Sequence, residues 1–264
     1  MKRKLITWAI ILAFITPFIT QAQTAATEST GKNRTFTVKG LSFEMMYVQG
    51  GSFMMGCIPE NSADCNREEK PAHCVNLSDF YIGKFQVTQD LWIAVMDDNP
   101  SNWKGDKLPV ENVSWNDCQT FISRLNNLTG AQFRLPTEAQ WEYAARGGAH
   151  SKGYIYSGSN DYNDVAWNKF NSLSITHEVG SKQPNELGIY DMTGNVWEWC
   201  NDLYDPNYYA VSPEDSPTGA SYGLYRVMRG SSWYSTWEHS RVTVREADRP
   251  DFRDIYIGFR LAFP

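Results

Sequence analysis

The stretch ELGIYDMTGNVWEWCND, residues 186–202, places Asp191 and Glu198 among glycines and aromatic residues. Asp191 and Glu198 supply hard oxygen atoms, and Gly194 between them permits a tight turn. Oxygen ligands on a loop of this kind suit Ca²⁺. The pattern therefore predicts a structural calcium site. A surface acid pair, or Glu198 in a buried salt bridge, are the alternative interpretations.

Three segments elsewhere in the chain have the pattern of capped helices. Thr88 precedes QDLWIAVM, Ser114 with Asp117 opens WNDCQTFISRLNNL, and Thr137 with Gln140 forms a capping box before EAQWEYAARGG. Residues 36–53 instead alternate apolar and polar side chains around glycines, which predicts a β-hairpin.

After Gly148 the chain consists of short runs punctuated by Gly, Pro, Asn and Asp, and the whole sequence holds ten tryptophans and fourteen tyrosines. Such a chain has few regular elements. We therefore expect buried aromatics and polar clamps to hold its loops, because loop backbone otherwise leaves buried amides and carbonyls without partners.

The N-terminus has the order of a secretory signal peptide. Three basic residues come first, an apolar run follows, and small residues end near Ala22. A membrane anchor is the alternative, but the run is short for a bilayer and Pro17 interrupts it. We predict a signal peptide over 1–22, a flexible leader over 23–35 and one domain over 36–264. The mature protein would be exported, in the periplasm, cell envelope or medium, and would keep no membrane span.

The net charge bears on which partners the protein can bind, and the cysteine content bears on disulfides and metal sites. Loss of residues 1–22 removes three basic side chains and changes the formal net charge from −6 to −9. An acidic chain without a basic stretch is a poor partner for nucleic acid.

Cys57 and Cys65 flank the polar loop IPENSAD, and we predict a disulfide between them. The other three cysteines stay unassigned, and without a CxxC motif a zinc site is not indicated.

Seven segments together resemble the formylglycine-generating enzyme family, also called sulfatase-modifying factors. They are FMMG (53–56), FYIGKFQVTQ (80–89), PVENVSW (109–115), RLPTEAQWEYAARGG (134–148), ELGIYDMTGNVWEWCND (186–202), RVMRGSSW (226–233) and IGFRLAFP (257–264). The resemblance implies an α+β fold with C-type-lectin-like topology: a small antiparallel sheet, few helices and much irregular structure.

Catalytic members of this family oxidise a cysteine of a substrate protein and use copper held by two cysteines. Those cysteines lie three and eight positions after a serine that matches Ser232. In this sequence the two positions are Ser235 and Ser240. A hydroxyl cannot ligate copper(I) as a thiolate does, so neither copper nor the copper-oxidase reaction is expected.

The resemblance also implies a calcium ligand set and a substrate groove. The ligands are a side-chain oxygen of Asp191, the carbonyls of Gly194 and Val196, and the carboxylate of Glu198. The groove is shaped by the segment that carries Trp233, Tyr234, Trp237 and His239, with Arg241 and Arg245 nearby.

The sequence favours a binding or assembly module for a peptide, protein or glycan. One alternative is an oxidative enzyme acting on an exported protein or peptide, and another is a structural partner of an envelope complex. Ser235 with His239 as its base would suggest a hydrolase, but no acid or oxyanion element accompanies them.

Overall fold

A computed structural model describes residues 33–58 and 65–264. The predicted hairpin forms the first two strands of the fold. Strands β1 (Arg34–Val38) and β2 (Leu41–Val48) pair in antiparallel register. Lys39 and Gly40 form the two-residue turn between them, both with positive φ, as tight hairpin turns require. Because β1 begins at Arg34, residues 34 and 35 belong to the domain and not to the predicted leader. The predicted signal peptide lies outside the described residues.

Three small sheets make up the β structure of the described part of the chain. The first has the order β1–β2–β5–β10, where β5 is Phe80–Gly83 and β10 is Ala262–Phe263. The second pairs β3 (Gly51–Met55) with β4 (His73–Leu77). The predicted hairpin over 36–53 is therefore too long, since its last residues leave β2 and pair with β4.

The third sheet contains the end of the 186–202 stretch. Its order is β8–β7–β6–β9, with β6 at Trp197–Leu203, β7 at Arg226–Arg229, β8 at Glu246–Asp248 and β9 at Ile257–Gly258. β6 and β9 run parallel, whereas the other pairs are antiparallel. The sheet thus brings two distant parts of the chain beside Glu198, with Arg229 on one side and Gly258 on the other.

The three predicted helices are present as α1 (Gln89–Met96), α2 (Trp115–Thr129) and α3 (Glu138–Ala145). The capping boxes at the starts of α2 and α3 are formed, whereas the Thr88 side chain makes no capping hydrogen bond at α1. α3 ends before the predicted GG pair, where Gly147 takes a positive φ. The single-turn helix α4 (Tyr162–Val165) was not predicted from the sequence.

Two apolar clusters form most of the core. One lies between α1, α2 and the third sheet and stacks Trp92 on Phe121 with ring centroids 5.2 Å apart. The other surrounds Trp141 of α3 and joins the first two sheets to β6. None of the helices in the described residues is long and apolar enough to cross a membrane. The result is the α+β architecture expected from the sequence.

Candidate functional site

Glu198 lies at the centre of the predicted calcium site and is fully buried. Its carboxylate accepts hydrogen bonds from Arg260 Nε at 2.6 Å and Nη2 at 2.7 Å, and from Trp141 Nε1 at 2.7 Å. Arg260 is also fully buried. The buried salt bridge, one of the alternatives for Glu198, is therefore present.

Four oxygen atoms converge near this pair. The Nε2 atom of Gln86 lies 3.0 Å from Glu198 Oε1, 3.0 Å from Val196 O, 3.4 Å from Gly194 O and 3.2 Å from Asp191 O. An amide nitrogen carries only two hydrogens for these four acceptors. Three of the four atoms belong to the ligand set that the resemblance implied.

Gln86 also shows that this cluster of oxygens fits a cation. Its Oε1 atom is buried and has no hydrogen-bond partner among the described residues. The two ends of an amide are interchangeable in shape, so a rotated Gln86 would add a fifth oxygen to the cluster. Ca²⁺ takes about six to eight oxygen ligands, and five converging oxygens would supply most of such a set.

The Asp191 side chain has a hydrogen bond of its own. Its Oδ2 accepts from Gly180 N at 2.7 Å, and its backbone carbonyl accepts from Gln86. Burial raises the pKa of the Asp191 carboxyl to about 6. Gln86, which was not predicted from the sequence, lies beside the carbonyls of Gly194 and Val196.

Residues 230–240, called the serine segment below, are attached to the 191–198 loop by main-chain hydrogen bonds. Gly194 N donates to Gly230 O at 2.7 Å, and Trp233 N donates to Asn195 O at 2.8 Å. The Ser231 backbone between these contacts has a φ of 65°, a conformation that most side chains avoid. Whatever stabilises the loop therefore also positions the serine segment.

The serines at the family's cysteine positions are used for local structure. Ser235 Oγ accepts a hydrogen bond from Ser232 N at 3.1 Å and lies 3.3 Å from Ser232 Oγ. Ser240 Oγ donates to Thr236 O at 2.8 Å and lies 2.7 Å from the Tyr162 hydroxyl. These hydroxyls close turns of the segment.

The hydrolase alternative lacks its nucleophile–base contact. His239 Nδ1 lies 3.2 Å from Thr236 Oγ1, and Ser235 is held by Ser232. General-base activation requires the base within hydrogen-bond reach of the nucleophile.

Of the four aromatic groove residues, three are exposed. Tyr234 is 58% exposed and Trp237 is 50% exposed, and His239 is also on the surface. Trp233 is buried, packs against Trp103 with ring centroids 5.2 Å apart, and donates its Nε1 proton to Ile255 O. Trp233 therefore supports the segment, while Tyr234 and Trp237 form an exposed aromatic pair.

The two arginines assigned to the groove are buried instead. Arg241 pairs with Glu69, and Arg245 pairs with Glu138 through Nε at 2.7 Å. Arg229 likewise pairs with Glu142 of α3. A guanidinium group holds a carboxylate well in such sites, because two parallel donors satisfy two acceptors. Arg241 and Arg245 are thus structural clamps between the C-terminal part of the chain and two carboxylates that precede it.

A cavity of about 270 Å³, called the C-terminal pocket below, opens between the serine segment and the third sheet. Ser232, Ser235 and Tyr234 form one side of it. The remaining lining residues are Trp197, Met228, Glu246, Ala247, Asp248, Phe252, Tyr256 and Ile257. Of the six residues that the resemblance assigned to the substrate groove, only Tyr234 lines this pocket.

The described residues contain one disulfide and three free cysteines. Cys57 and Cys65 are joined in a disulfide with their Cα atoms 6.1 Å apart. Glu69 lies close to both sulfur atoms, but bonded sulfurs are not thiolate ligands. Cys118 and Cys200 are free and fully buried, and burial raises the pKa of both thiols. Cys74 is free and exposed on β4.

Four residues of these sites were not predicted from the sequence: Gln86, Tyr162, Glu246 and Asp248. Glu246 and Asp248 alternate along a short strand, which indicates one common face. The signal was visible, but only the sheet shows that this face lines a cavity.

The α+β fold, the 191–198 loop and the serine segment define a protein of the formylglycine-generating type. Residues 32–263 match the family model described as the sulfatase-modifying factor enzyme 1-like domain. The chain belongs to this family.

The similar proteins include one named as a chaperone protein and one named as an enzyme. A chaperone protein, LppX of Paenibacillus barcinonensis, is 34% identical over 253 residues, which cover 77% of this chain and 83% of the relative. The formylglycine-generating enzyme of Streptomyces coelicolor is 37% identical over 169 residues, or 58% of this chain and 52% of the enzyme. This chain thus matches about half of that enzyme's length.

The solved structure of Treponema denticola variable protein 1 has the same fold. It superposes with a TM-score of 0.80 at 32% identity and covers 89% of this chain and 99% of that protein.

Proposed function

We propose that this protein is an exported binding module of the formylglycine-generating enzyme fold. Its C-terminal pocket and the aromatic pair Tyr234 and Trp237 hold a peptide, protein or glycan. Copper-dependent oxidation of cysteine is not part of this function.

The main support for the proposal comes from the serine segment. It occupies the sequence positions of the family's reactive segment, but Ser235 and Ser240 use their hydroxyls in turn-closing hydrogen bonds. Copper(I) requires soft ligands such as thiolates. The pocket beside these serines stays open, and exposed aromatic side chains next to a cavity are typical of recognition surfaces.

The name of one relative agrees with a binding role. The protein from Paenibacillus barcinonensis is called a chaperone protein, and the similarity extends over most of both chains. Export is supported by residues 1–22, whose basic start and apolar run have the order of a signal peptide.

A calcium ion is the structural part of the proposal. Glu198, the carbonyls of Gly194 and Val196, and a rotated Gln86 would hold it, with the Asp191 carbonyl nearby. The ion would supply no chemistry to a substrate. The residues themselves fix the 191–198 loop, and through Gly194 and Asn195 they fix the serine segment.

The test of the binding role uses glycan and peptide arrays probed with the purified mature protein. The double variant Tyr234→Ala, Trp237→Ala is compared with Tyr222→Ala, Leu224→Ala, because all four side chains are exposed. We expect array signals that the first variant loses and the second keeps. Equal signals for both variants would contradict a role for the aromatic pair.

The rival function, an oxidative enzyme, rests on the similarity to a formylglycine-generating enzyme. It is tested by incubating the protein with reduced copper and a cysteine peptide, followed by an aldehyde-specific label. We expect no label with the wild type. Aldehyde formation would refute the proposal, and retained copper would show a site other than Ser235 and Ser240.

A further inference from the structure

The C-terminal pocket has aromatic walls. Trp197, Tyr234, Phe252 and Tyr256 line it, and Met228 and Ile257 supply further apolar surface. Its volume of about 270 Å³ accommodates one large side chain and no more than a small ligand. Aromatic faces attract cations through the ring quadrupole, and several rings around one cavity add their attractions.

Carboxylates complete the pocket. Glu246 and Asp248 line it, and Asp254 lies beside Tyr256. Each of the three accepts a hydrogen bond from the backbone amide of the next residue. None of them has an ion-pair partner among the described residues.

The neighbouring basic residues are directed elsewhere. Arg249 pairs with Asp251 at 3.7 Å, and Arg253 holds Asp117 through Nε at 2.6 Å. The carboxylates produce a negative potential at Tyr256, which lines the pocket. Burial first, and then the charges of Asp254, Asp248 and Glu246, raise the pKa of Tyr256 to about 12. Two cations lie near these residues: Lys169, whose Nζ lies 5.3 Å from the Tyr234 ring centroid, and Arg226, which is the cross-strand partner of Asp248. Arg226 donates to Asn201 O and lies over the Trp115 ring.

The surface around the mouth is large enough for more than a side chain. Phe170 is 72% exposed and lies beside the serine segment, because Lys169 N donates to Ser235 O at 3.1 Å. Tyr234 and Trp237 extend this apolar surface. A ligand that fills the pocket can therefore continue across it.

We propose that the C-terminal pocket binds the cationic side chain of a lysine or arginine in a peptide or protein partner. The inference rests on the proposed binding function and names the ligand class. The aliphatic stem of such a side chain contacts the aromatic walls while its charged head meets Glu246 and Asp248. A neutral sugar can stack on the rings but leaves these carboxylates uncompensated.

The test uses acetylated and amidated pentapeptides of alanine with arginine, lysine, citrulline or norleucine at the centre. Binding to the mature protein is measured by isothermal titration calorimetry at low salt. The variant Glu246→Gln, Asp248→Asn removes two pocket charges, and Asp97→Asn, Glu214→Gln removes two exposed charges that do not line the pocket. Circular dichroism checks that both variants are folded.

We expect the arginine and lysine peptides to bind and the citrulline and norleucine peptides to bind roughly tenfold more weakly, as loss of two partly exposed ion pairs predicts. The pocket variant should lose a similar factor and the control variant none. Salt of about 1 M should abolish the difference between peptides, because the Debye length falls to about 3 Å.

The failure of this inference is distinguishable from failure of the proposed function. Equal binding of charged and neutral peptides, or of a glycan, that survives Glu246→Gln, Asp248→Asn would overturn the inference and leave a binding module. If the cationic peptides do not bind, the inference also falls, and the arrays with Tyr234→Ala, Trp237→Ala then decide the proposed function alone.

Discussion

Replacement of Arg260 by methionine removes one half of the buried pair at the centre of the molecule. Arg260 and Glu198 are both fully buried, and two charge-assisted hydrogen bonds of 2.6 and 2.7 Å join them. Methionine has a similar length and no charge. The variant Arg260→Met therefore leaves a carboxylate inside the core.

The remaining partners cannot compensate for this loss. Glu198 keeps the neutral donors Trp141 Nε1 and Gln86 Nε2, while two backbone carbonyls lose their arginine donors. Breaking a buried pair by removing one partner costs about 3–5 kcal/mol. Since domains of this kind unfold with about 5–15 kcal/mol, the variant should lose a large part of its stability.

Urea unfolding at neutral pH, followed by tryptophan fluorescence with a chelator present, measures the effect. Lys39→Met is the control, because its pair with Asp97 is exposed and should contribute less than about 1 kcal/mol. The double variant Arg260→Met, Glu198→Leu should be more stable than the sum of the single changes predicts, by about 1–3 kcal/mol. A cost below about 1 kcal/mol for Arg260→Met, or strict additivity, would refute the reasoning.

Three further outcomes are expected. Burial raises the pKa of Glu111 to about 7, so the folded state keeps a proton that the unfolded state loses, and this carboxyl makes stability fall as pH rises from about 4.5 to 7. Glu111→Gln should flatten that fall in urea titrations across this range; an unchanged pH profile would contradict it. Calcium at one hundred times its dissociation constant should stabilise the protein by about 2.7 kcal/mol in thermal melts, with magnesium as the control, and elemental analysis should find it after desalting. A melting temperature that changes with neither calcium nor a chelator would contradict calcium binding. Ser114→Ala should cost about 1 kcal/mol because it removes the cap of α2, whereas Thr88→Ala should cost less; equal losses would argue against the capping box.

The helices and their caps could be predicted from the sequence because they depend on neighbouring residues. The hydrogen bond of Ser114 Oγ with Asp117 N spans three positions, and the boundaries of α1 follow from its own residues. Strand pairing could not be predicted in this way. β10 pairs with β5, and β9 runs parallel to β6, across separations that no local pattern encodes.

The same distinction between local patterns and long-range contacts applies to the candidate site. The loop 191–198 was visible as a run of residues, and the serines at 235 and 240 could be counted from Ser232. Gln86 was missed because it lies more than one hundred positions from Glu198 in the chain and is brought to it only by folding. Arg241 and Arg245 were misplaced, since charge alone does not show whether a guanidinium group faces solvent or a buried carboxylate.

The sequence by itself determined the family, the helices and the absence of thiols at the positions of Ser235 and Ser240, because these follow from residue identity and short spacing. Only the tertiary structure decided that Glu198 pairs with Arg260, that Gln86 meets four oxygens and that Glu246 and Asp248 line a pocket. These contacts join segments far apart in the chain, so no local pattern reveals them. Glu198 and Arg260 meet because a buried charge without a partner costs free energy.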